Sequence, residues 1–291
     1  MTYREKAIQF SCVGETLLGV VALPVAPAHT GVVIVVGGPQ TRVGSHRQFV
    51  LLSRALSKAG YAVLRFDYRG MGDSTGAQRN FEGVSDDIGA AIDALQAYAP
   101  GLTRIALWGL CDAASAALLY CAATGDKRVT GLCLLNPWVR SEAGLAQTHV
   151  KHYYPQRLIQ MDFWRKVLKG QVSLRAVPEF FRTLLLSSKK VSPSSGALLN
   201  YQQRMATAWH AFSGSLMLTL SANDYTAKEF LEITKGDPYW KSALNHPRLT
   251  RHDLHGADHT FSNASSRERV ERLTLDWLTT LNGQPKPSNV T

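Results

Sequence analysis

The chain has 291 residues, of which 45% are hydrophobic, and a formal net charge of +10. This length can bury one large core, so we expect a single domain with an insertion. The sequence lacks the apolar stretches of a signal peptide or a membrane span, and its four cysteines are not paired at short spacing, so we expect a soluble protein of the reducing cytoplasm.

Strand and helix patterns alternate along the chain. A hairpin is predicted at 6–12 and 16–23, and the valine and isoleucine run at 31–36 is typical of a strand buried on both faces. Further strands are predicted at 61–66, 104–108, 129–135, 216–220 and 249–254. Helical spacing of apolar residues appears at 84–95, 113–123 and 270–281. This alternation predicts an α/β fold with a mostly parallel central sheet and helices on both faces.

The alternation is interrupted between residues 139 and 212, where helical patterns occur without a strand, and we interpret this segment as an inserted helical lid. It carries eleven Lys or Arg against three Asp or Glu, which is +8 of the net charge of +10. The predicted α/β core is therefore 1–138 with 213–281, and 282–291 is predicted to be a flexible polar tail.

Three interpretations of the basic lid remain open. Its charges can face water, as charge runs usually do. Its interleaved aromatic and basic residues also suit peripheral contact with an anionic membrane surface. Alternatively, the charge recognises an acidic substrate. Nucleic acid is not expected as a partner, because no binding motif accompanies the charge.

The most informative motif is Leu-Trp-Gly-Leu-Cys-Asp-Ala-Ala at 107–114, between a predicted strand and a predicted helix. Gly109 and Ala113 permit a sharp turn that lifts the side chain of Cys111 above the end of the sheet. The amides at the start of the helix favour a thiolate, so we predict that Cys111 is a nucleophile. The alternative is that Cys111 is a packed core thiol, as we expect for Cys12, Cys121 and Cys133.

An acid and a base follow the nucleophile in the order found in α/β hydrolases. Asp224 comes after the strand at 216–220, and His259 lies in the loop before the last helix. We predict that Asp224 orients His259, with Asp253 and His255 as the reserve acid and base. A simple turn role for Asp224 stays open. We expect no cofactor and no metal ion, because the histidines and aspartates of 252–259 straddle a strand and a loop.

The turn Gly-Gly-Pro-Gln at 37–40 follows the first buried strand, which is the place for an oxyanion hole. Pro39 has no N–H, so we predict that the amide of Gln40 pairs with that of Asp112 as the donors. A second glycine-rich turn at 67–74 is expected to be structural.

The motif Asp67-x-Arg69-Gly70-x-Gly72-x-Ser74, together with the Cys111 turn, Asp224 and His259, resembles the α/β-hydrolase superfamily over residues 5–281. More narrowly, residues 37–48 and 108–112 resemble the first of two hydrolases associated with the exosortase A system, which lies beside bacterial exopolysaccharide and protein-sorting genes. The resemblance implies the α/β-hydrolase fold and a hydrolase linked to those pathways, without supplying a substrate. The chain has Cys111 where the superfamily usually has a serine nucleophile, and in this respect it is similar to dienelactone hydrolases.

These observations favour a hydrolase that cleaves an ester or thioester through an acyl-cysteine intermediate. The alternatives are an acyltransferase that uses the same intermediate and a non-catalytic binding protein on a hydrolase fold. We expect a small-molecule acyl donor, anionic or lipid-linked, with substrate contacts from Gly38, Arg42, His46, Arg47 and Trp138. His46 and Arg47 either cap the following helix or meet an anionic substrate.

Overall fold

One eight-stranded sheet organises the molecule in a computed structural model that describes residues 2–38, 40–140 and 199–281. The strands are β1 (Tyr3–Cys12), β2 (Glu15–Pro24), β3 (Thr30–Val35), β4 (Val63–Phe66), β5 (Arg104–Leu110), β6 (Val129–Leu135), β7 (Ser215–Ser221) and β8 (Leu249–Leu254). Their order is β1-β2-β4-β3-β5-β6-β7-β8. Strands β1 and β2 form a hairpin, and β2 pairs antiparallel with β4. The six strands β3 to β8 run parallel, which confirms the predicted sheet.

Helices cover both faces of this sheet. They are α1 (Gln48–Lys58), α2 (Ser85–Tyr98), α3 (Asp112–Thr124), α4 (Tyr201–Ala211), α5 (Tyr225–Gly236) and α6 (Ala264–Leu281), with short 3-10 turns at Ser45–Arg47, Phe81–Gly83, Pro238–Trp240 and Ala243–Asn245. None of the helices within the described ranges is both long and apolar enough to cross a bilayer.

Strand β3 shows why the central strands are continuous apolar runs. Val33 and Val35 belong to the core cluster with α2 and α3, whereas Val32 and Ile34 belong to the cluster with α1 and α6. Successive side chains of a strand point to opposite faces, so a strand covered on both sides must be apolar at every position. This packing places the carboxyl ends of the parallel strands, where sites collect, at one edge of the sheet.

The chain divides into two units, Met1–Val139 with Leu199–Thr291, and Arg140–Leu198. The second unit, apart from Arg140, lies outside the described residues, so the helical lid stays a prediction there, as does the flexible tail at 282–291. The structure differs from the sequence expectation at 199–212, which belong to the first unit. The reason is that Met205, Ala206 and Trp209 are buried on one face of α4, which packs on α3.

A buried ion pair fixes the turn after β4. The Arg69 guanidinium donates to Asp87 at 2.7 and 3.1 Å, and the Arg69 amide donates to the same carboxylate at 2.8 Å. The Asp87 side chain is fully buried, whereas Asp86, 3.2 Å from the same guanidinium, is 65% exposed. Both acids sit in the first turn of α2.

We predict that Asp87→Ala lowers the free energy of unfolding by about 3–5 kcal/mol, because it leaves a buried cation without its partner. Asp86→Ala is the matched control, and its expected loss is about 0–1 kcal/mol because water screens that pair. Urea unfolding of the two variants measures the difference. Equal losses would contradict this account of the turn.

Candidate active site

Cys111 occupies a strained turn between β5 and α3. Its φ is 62° and its ψ is −126°, a conformation rare outside glycine, and its amide donates to the Leu135 carbonyl at 2.9 Å. A side chain at Gly109 would overlap the backbone of Ala113, so this position requires glycine. The strain holds the half-buried thiol at the carboxyl end of the sheet, beside the first turn of α3.

Asp224 is held at the end of β7 by the start of α5. Its carboxylate accepts the amides of Thr226 at 3.2 Å and Ala227 at 3.3 Å, which makes it the N-cap of that helix. The same carboxylate accepts the Nδ1 hydrogen bond of His259 at 2.8 Å. The capping bonds therefore fix the orientation of an acid that in turn orients the imidazole.

His259 connects this acid to the thiol. Hydrogen bonds with Asp224 and then with Cys111 raise the pKa of His259 to about 10, against the opposing effect of burial. The imidazole is therefore protonated at neutral pH and lies between a carboxylate and a sulfur. Nδ1 faces Asp224, and the side chain keeps 35% exposure, so water can reach the ring. This arrangement can hold a thiolate and can deliver a proton to a leaving group.

The reserve candidates lie elsewhere. Asp253 is on β8, where it pairs with Arg251 at 3.0 Å. His255 is exposed in the following turn. Of the three other cysteines, Cys12 and Cys133 lie in the core and Cys121 packs against it. Burial raises the thiol pKa to about 11 for Cys12 and about 12 for Cys121, and well above the ordinary value for Cys133.

Sequence reasoning missed Asn136, which joins the acid turn to the histidine loop. Its Nδ2 donates to Ser221 Oγ at 3.0 Å and to the His259 carbonyl at 3.1 Å, and its Oδ1 accepts the Ser221 amide at 2.8 Å. The Ser221 hydroxyl donates to the Asp258 carbonyl at 2.9 Å. Asn136 is fully buried with φ 43°. The available signal was an asparagine directly after the buried strand β6, since asparagine tolerates this backbone region.

We predict that Asn136→Ala lowers kcat by about 10²-fold with little change in KM, because the histidine loop loses its anchor and the imidazole shifts. Asn200→Ala is the matched control. It removes the cap of α4, where Asn200 accepts the Gln203 amide at 2.9 Å, and is expected to cost stability and leave kcat unchanged. Steady-state kinetics of both variants, with thermal melts, checks this. A loss of stability alone in Asn136→Ala would contradict it.

The Gln40 amide, which the sequence predicts as an oxyanion donor, is directed elsewhere in the structure. The Gln40 amide donates to the Gly37 carbonyl at 3.3 Å, and its side chain accepts the Ser45 amide at 3.1 Å. The turn amide directed at the start of α3 is that of Gly38, which donates to Asp112 Oδ2 at 2.9 Å. Gly38 has φ 58°, and this positive φ turns its N–H toward α3.

Arg42, another expected substrate contact, is instead paired with carboxylates of the protein itself. Its guanidinium pairs with the buried Asp67 and lies 2.6 Å from Asp73, and its amide donates to Asp67 at 2.6 Å. Arg42 is thus held by the turn at 67–74, because a fully buried carboxylate requires a cationic partner. The turn closes on itself through Ser74 Oγ, which donates to the Asp67 carbonyl at 2.8 Å.

The remaining expected substrate contacts are Trp138, His46 and Arg47, of which Trp138 is hydrogen-bonded to the backbone of Cys111. The Trp138 amide donates to the Cys111 carbonyl at 3.2 Å, and its own carbonyl accepts the Ser115 hydroxyl at 2.6 Å. His46 and Arg47 are exposed, with φ 54° and 60°. Arg47 stands at the cap position of α1, and its side chain makes no capping hydrogen bond. Both side chains are therefore exposed, and that of Arg47 does not cap the helix.

A family model described as "Serine aminopeptidase, S33" matches residues 27–228. Human (Homo sapiens) protein ABHD12B is 40% identical over 73 residues, which is 25% of this chain and only 19% of that protein's length. Two solved structures share the fold. The Pyrococcus furiosus esterase Pf2001 has a TM-score of 0.65 and 15% identity, covering 97% of this chain and 94% of its own. A dienelactone hydrolase from Anabaena variabilis has a TM-score of 0.60 and 14% identity, covering 97% and 99%.

Proposed function

The chain belongs to the α/β-hydrolase family described as serine aminopeptidase S33, and from that premise we propose that it cleaves an ester or thioester with Cys111, His259 and Asp224 as a catalytic triad. The observation that carries the proposal is the imidazole of His259, hydrogen-bonded on one side to Asp224 and on the other to the strained Cys111. Covalent acyl transfer requires a nucleophile, a base hydrogen-bonded to it, and an acid that orients the base.

The first half of the reaction forms the acyl-cysteine. The Cys111 thiolate attacks the carbonyl carbon, and the carbonyl electron pair moves to oxygen, where the amides of Gly38 and Asp112 stabilise it. The tetrahedral intermediate then expels the alcohol or thiol, which takes the proton held by His259. Gly38 replaces Gln40 as the proposed donor from the turn, because its amide is directed at Asp112, the residue next to Cys111.

The second half releases the acid. Neutral His259 takes a proton from water, the resulting hydroxide attacks the acyl carbon, and the Cys111 thiolate leaves as the carbon–sulfur bond breaks. Asp224 stabilises the imidazolium that forms, as its hydrogen bond to Nδ1 requires.

Esters and thioesters suit this nucleophile better than amides. A thiolate is itself a good leaving group, so a tetrahedral intermediate returns to reactants unless the departing amine is protonated first. The names of two fold relatives support the same class, since one is an esterase and another a dienelactone hydrolase. The family is described as a serine aminopeptidase, so a cysteine nucleophile at position 111 departs from that description.

The acyl donor is proposed to be a small anionic or lipid-linked molecule. The exposed His46 and Arg47 at the start of α1 support an anionic substrate. The resemblance to hydrolases associated with the exosortase A system supports a link to bacterial exopolysaccharide pathways without supplying the substrate, and the basic segment at 139–212 supports contact with an anionic surface.

The substrate class is tested with butyryl donors that differ only in the leaving group: a p-nitrophenyl ester, a thioester and an anilide. The proposal expects turnover of the ester and thioester, little of the anilide, and product formation without an added acceptor. Turnover only when a sugar or lipid acceptor is supplied would identify an acyltransferase instead. The absence of turnover and of acylation with every donor would support a binding protein.

A further inference from the structure

Asp112, the residue directly after the nucleophile, directs its carboxylate at the turn that supplies the oxyanion donor. Its Oδ2 accepts the Gly38 amide at 2.9 Å. A side chain at Gly37 would overlap Asp112 Oδ1 and would also come within 2.9 Å of the Ala113 amide. The absence of a side chain at Gly37 therefore makes the space in which this carboxylate lies.

This position gives the carboxylate the donor that an oxyanion needs. Besides Gly38, the amides of Ala113 and of Asp112 itself are directed at the carboxylate. A carboxylate oxygen and a tetrahedral oxyanion carry the same charge and require the same N–H donors. The resting structure thus fills its oxyanion site with a side chain of its own.

The surroundings do not favour charge on Asp112. Burial raises the pKa of its carboxyl above the ordinary value, although the amides of Gly38 and Ala113 and the charge of His259 oppose this effect. Oδ1 is buried without a hydrogen-bond partner among the described residues. The hydroxyl of Tyr68, also buried and unbonded there, has a pKa raised by burial and then by the charge of Asp112.

We propose that Asp112 is a resident occupant of the oxyanion site, which blocks acyl transfer as a carboxylate and permits it when protonated. As an anion it retains the Gly38 amide and repels the developing oxyanion. When neutral it accepts the amide only weakly, so the donor is released to the substrate. The titratable groups that act on it are His259 from the loop after β8 and Tyr68 from the turn after β4. The proposal rests on the proposed acyl-cysteine chemistry.

The occupancy is tested without turnover by NMR of protein labelled with ¹⁵N-glycine. The Gly38 resonance is assigned by its loss in Gly38→Ala and followed from about pH 4 to pH 9, the range that covers a raised carboxyl pKa. We expect the Gly38 amide to titrate in the wild type and in Cys111→Ser, and not to titrate in Asp112→Asn. A Gly38 amide that does not move, or that moves equally in Asp112→Asn, would overturn the proposal.

The kinetic consequence is tested by the rate of Cys111 acylation with a p-nitrophenyl ester. Relative to the wild type, Asp112→Asn is expected to be faster by about tenfold at about pH 8 and equal at low pH, since the gain comes from freeing one donor. Asp253→Asn, which removes an exposed carboxylate from β8, is the control and is expected to match the wild type. A slower Asp112→Asn at every pH would show that the carboxylate only supports the turn.

The two tests separate this proposal from the proposed function. If Cys111 is not acylated in the wild type while the Gly38 amide still titrates with Asp112, the triad chemistry fails and the occupancy stands. If acylation occurs and the Gly38 amide is silent, the triad stands and the occupancy fails.

Discussion

Cys111→Ala is expected to abolish ester hydrolysis, with a loss of about 10⁴-fold or more in kcat, because the proposed covalent intermediate forms on the Cys111 sulfur. The thiol lies on a half-buried turn rather than in the core, and its removal creates little cavity. The variant should therefore fold and bind substrate. Steady-state kinetics and a thermal melt measure the two effects separately.

Cys121→Ala is the matched control for this prediction. Cys121 is also half-buried, but it lies near the end of α3 and carries a thiol whose pKa is raised to about 12. Its replacement is expected to leave kcat unchanged. If Cys111→Ala retains more than a few per cent of wild-type hydrolysis, then Cys111 is not the nucleophile.

Asp224→Asn is expected to lower kcat by about 10⁴-fold while the fold is retained. Asparagine can still accept the Thr226 and Ala227 amides and cap α5, since it is as good an N-cap as aspartate. It cannot stabilise the imidazolium, and it can hold the ring in the wrong tautomer. The loss should appear in kcat more than in KM.

Asp224→Asn is also expected to change how the free energy of unfolding depends on pH. The pKa of His259 is raised from 6.5 to about 10 in the folded protein, so its proton stabilises the fold fully below about pH 6.5. That contribution is lost as the pH rises through about 10. The difference in free energy of unfolding between wild type and Asp224→Asn should therefore be largest near pH 6 and vanish above pH 10, as urea titrations can measure.

Asp253→Asn is the control for Asp224→Asn, because Asp253 is the acid that sequence order alone leaves as an alternative. It pairs with Arg251 at the surface of β8, so its charge should be dispensable for hydrolysis. A large kcat loss in Asp253→Asn with none in Asp224→Asn would reverse the assignment of the acid.

The fold was predictable because the central strands must be apolar on both faces. The run Val32 to Val35 is typical of a strand covered on both faces, and the helical patterns between such strands predict parallel connections. The same logic places Cys111 at the end of a strand. The helical pattern at 199–212 is equally compatible with a lid, and the structure groups this segment with the first unit, where Met205 and Trp209 are buried.

The site was predictable in its residue types and less so in its hydrogen bonds. Chain order brought Asp224 and His259 forward, and the structure brings them to 2.8 Å. Gln40 was expected to supply the donor because Pro39 has no N–H. The direction of an amide depends on the backbone dihedral angles, however, and Gly38, which has a positive φ, directs its N–H at Asp112. Asn136 was missed because its bonds span 85 and 123 residues along the chain.

The most direct test of the acyl-cysteine is intact-mass measurement after the protein is mixed with p-nitrophenyl butyrate and quenched in acid. The account predicts a wild-type adduct of one butyryl group that maps to Cys111, is absent in Cys111→Ala, and forms more slowly in His259→Ala. Hydrolysis with no adduct on Cys111, or an adduct that persists in Cys111→Ala, would contradict it.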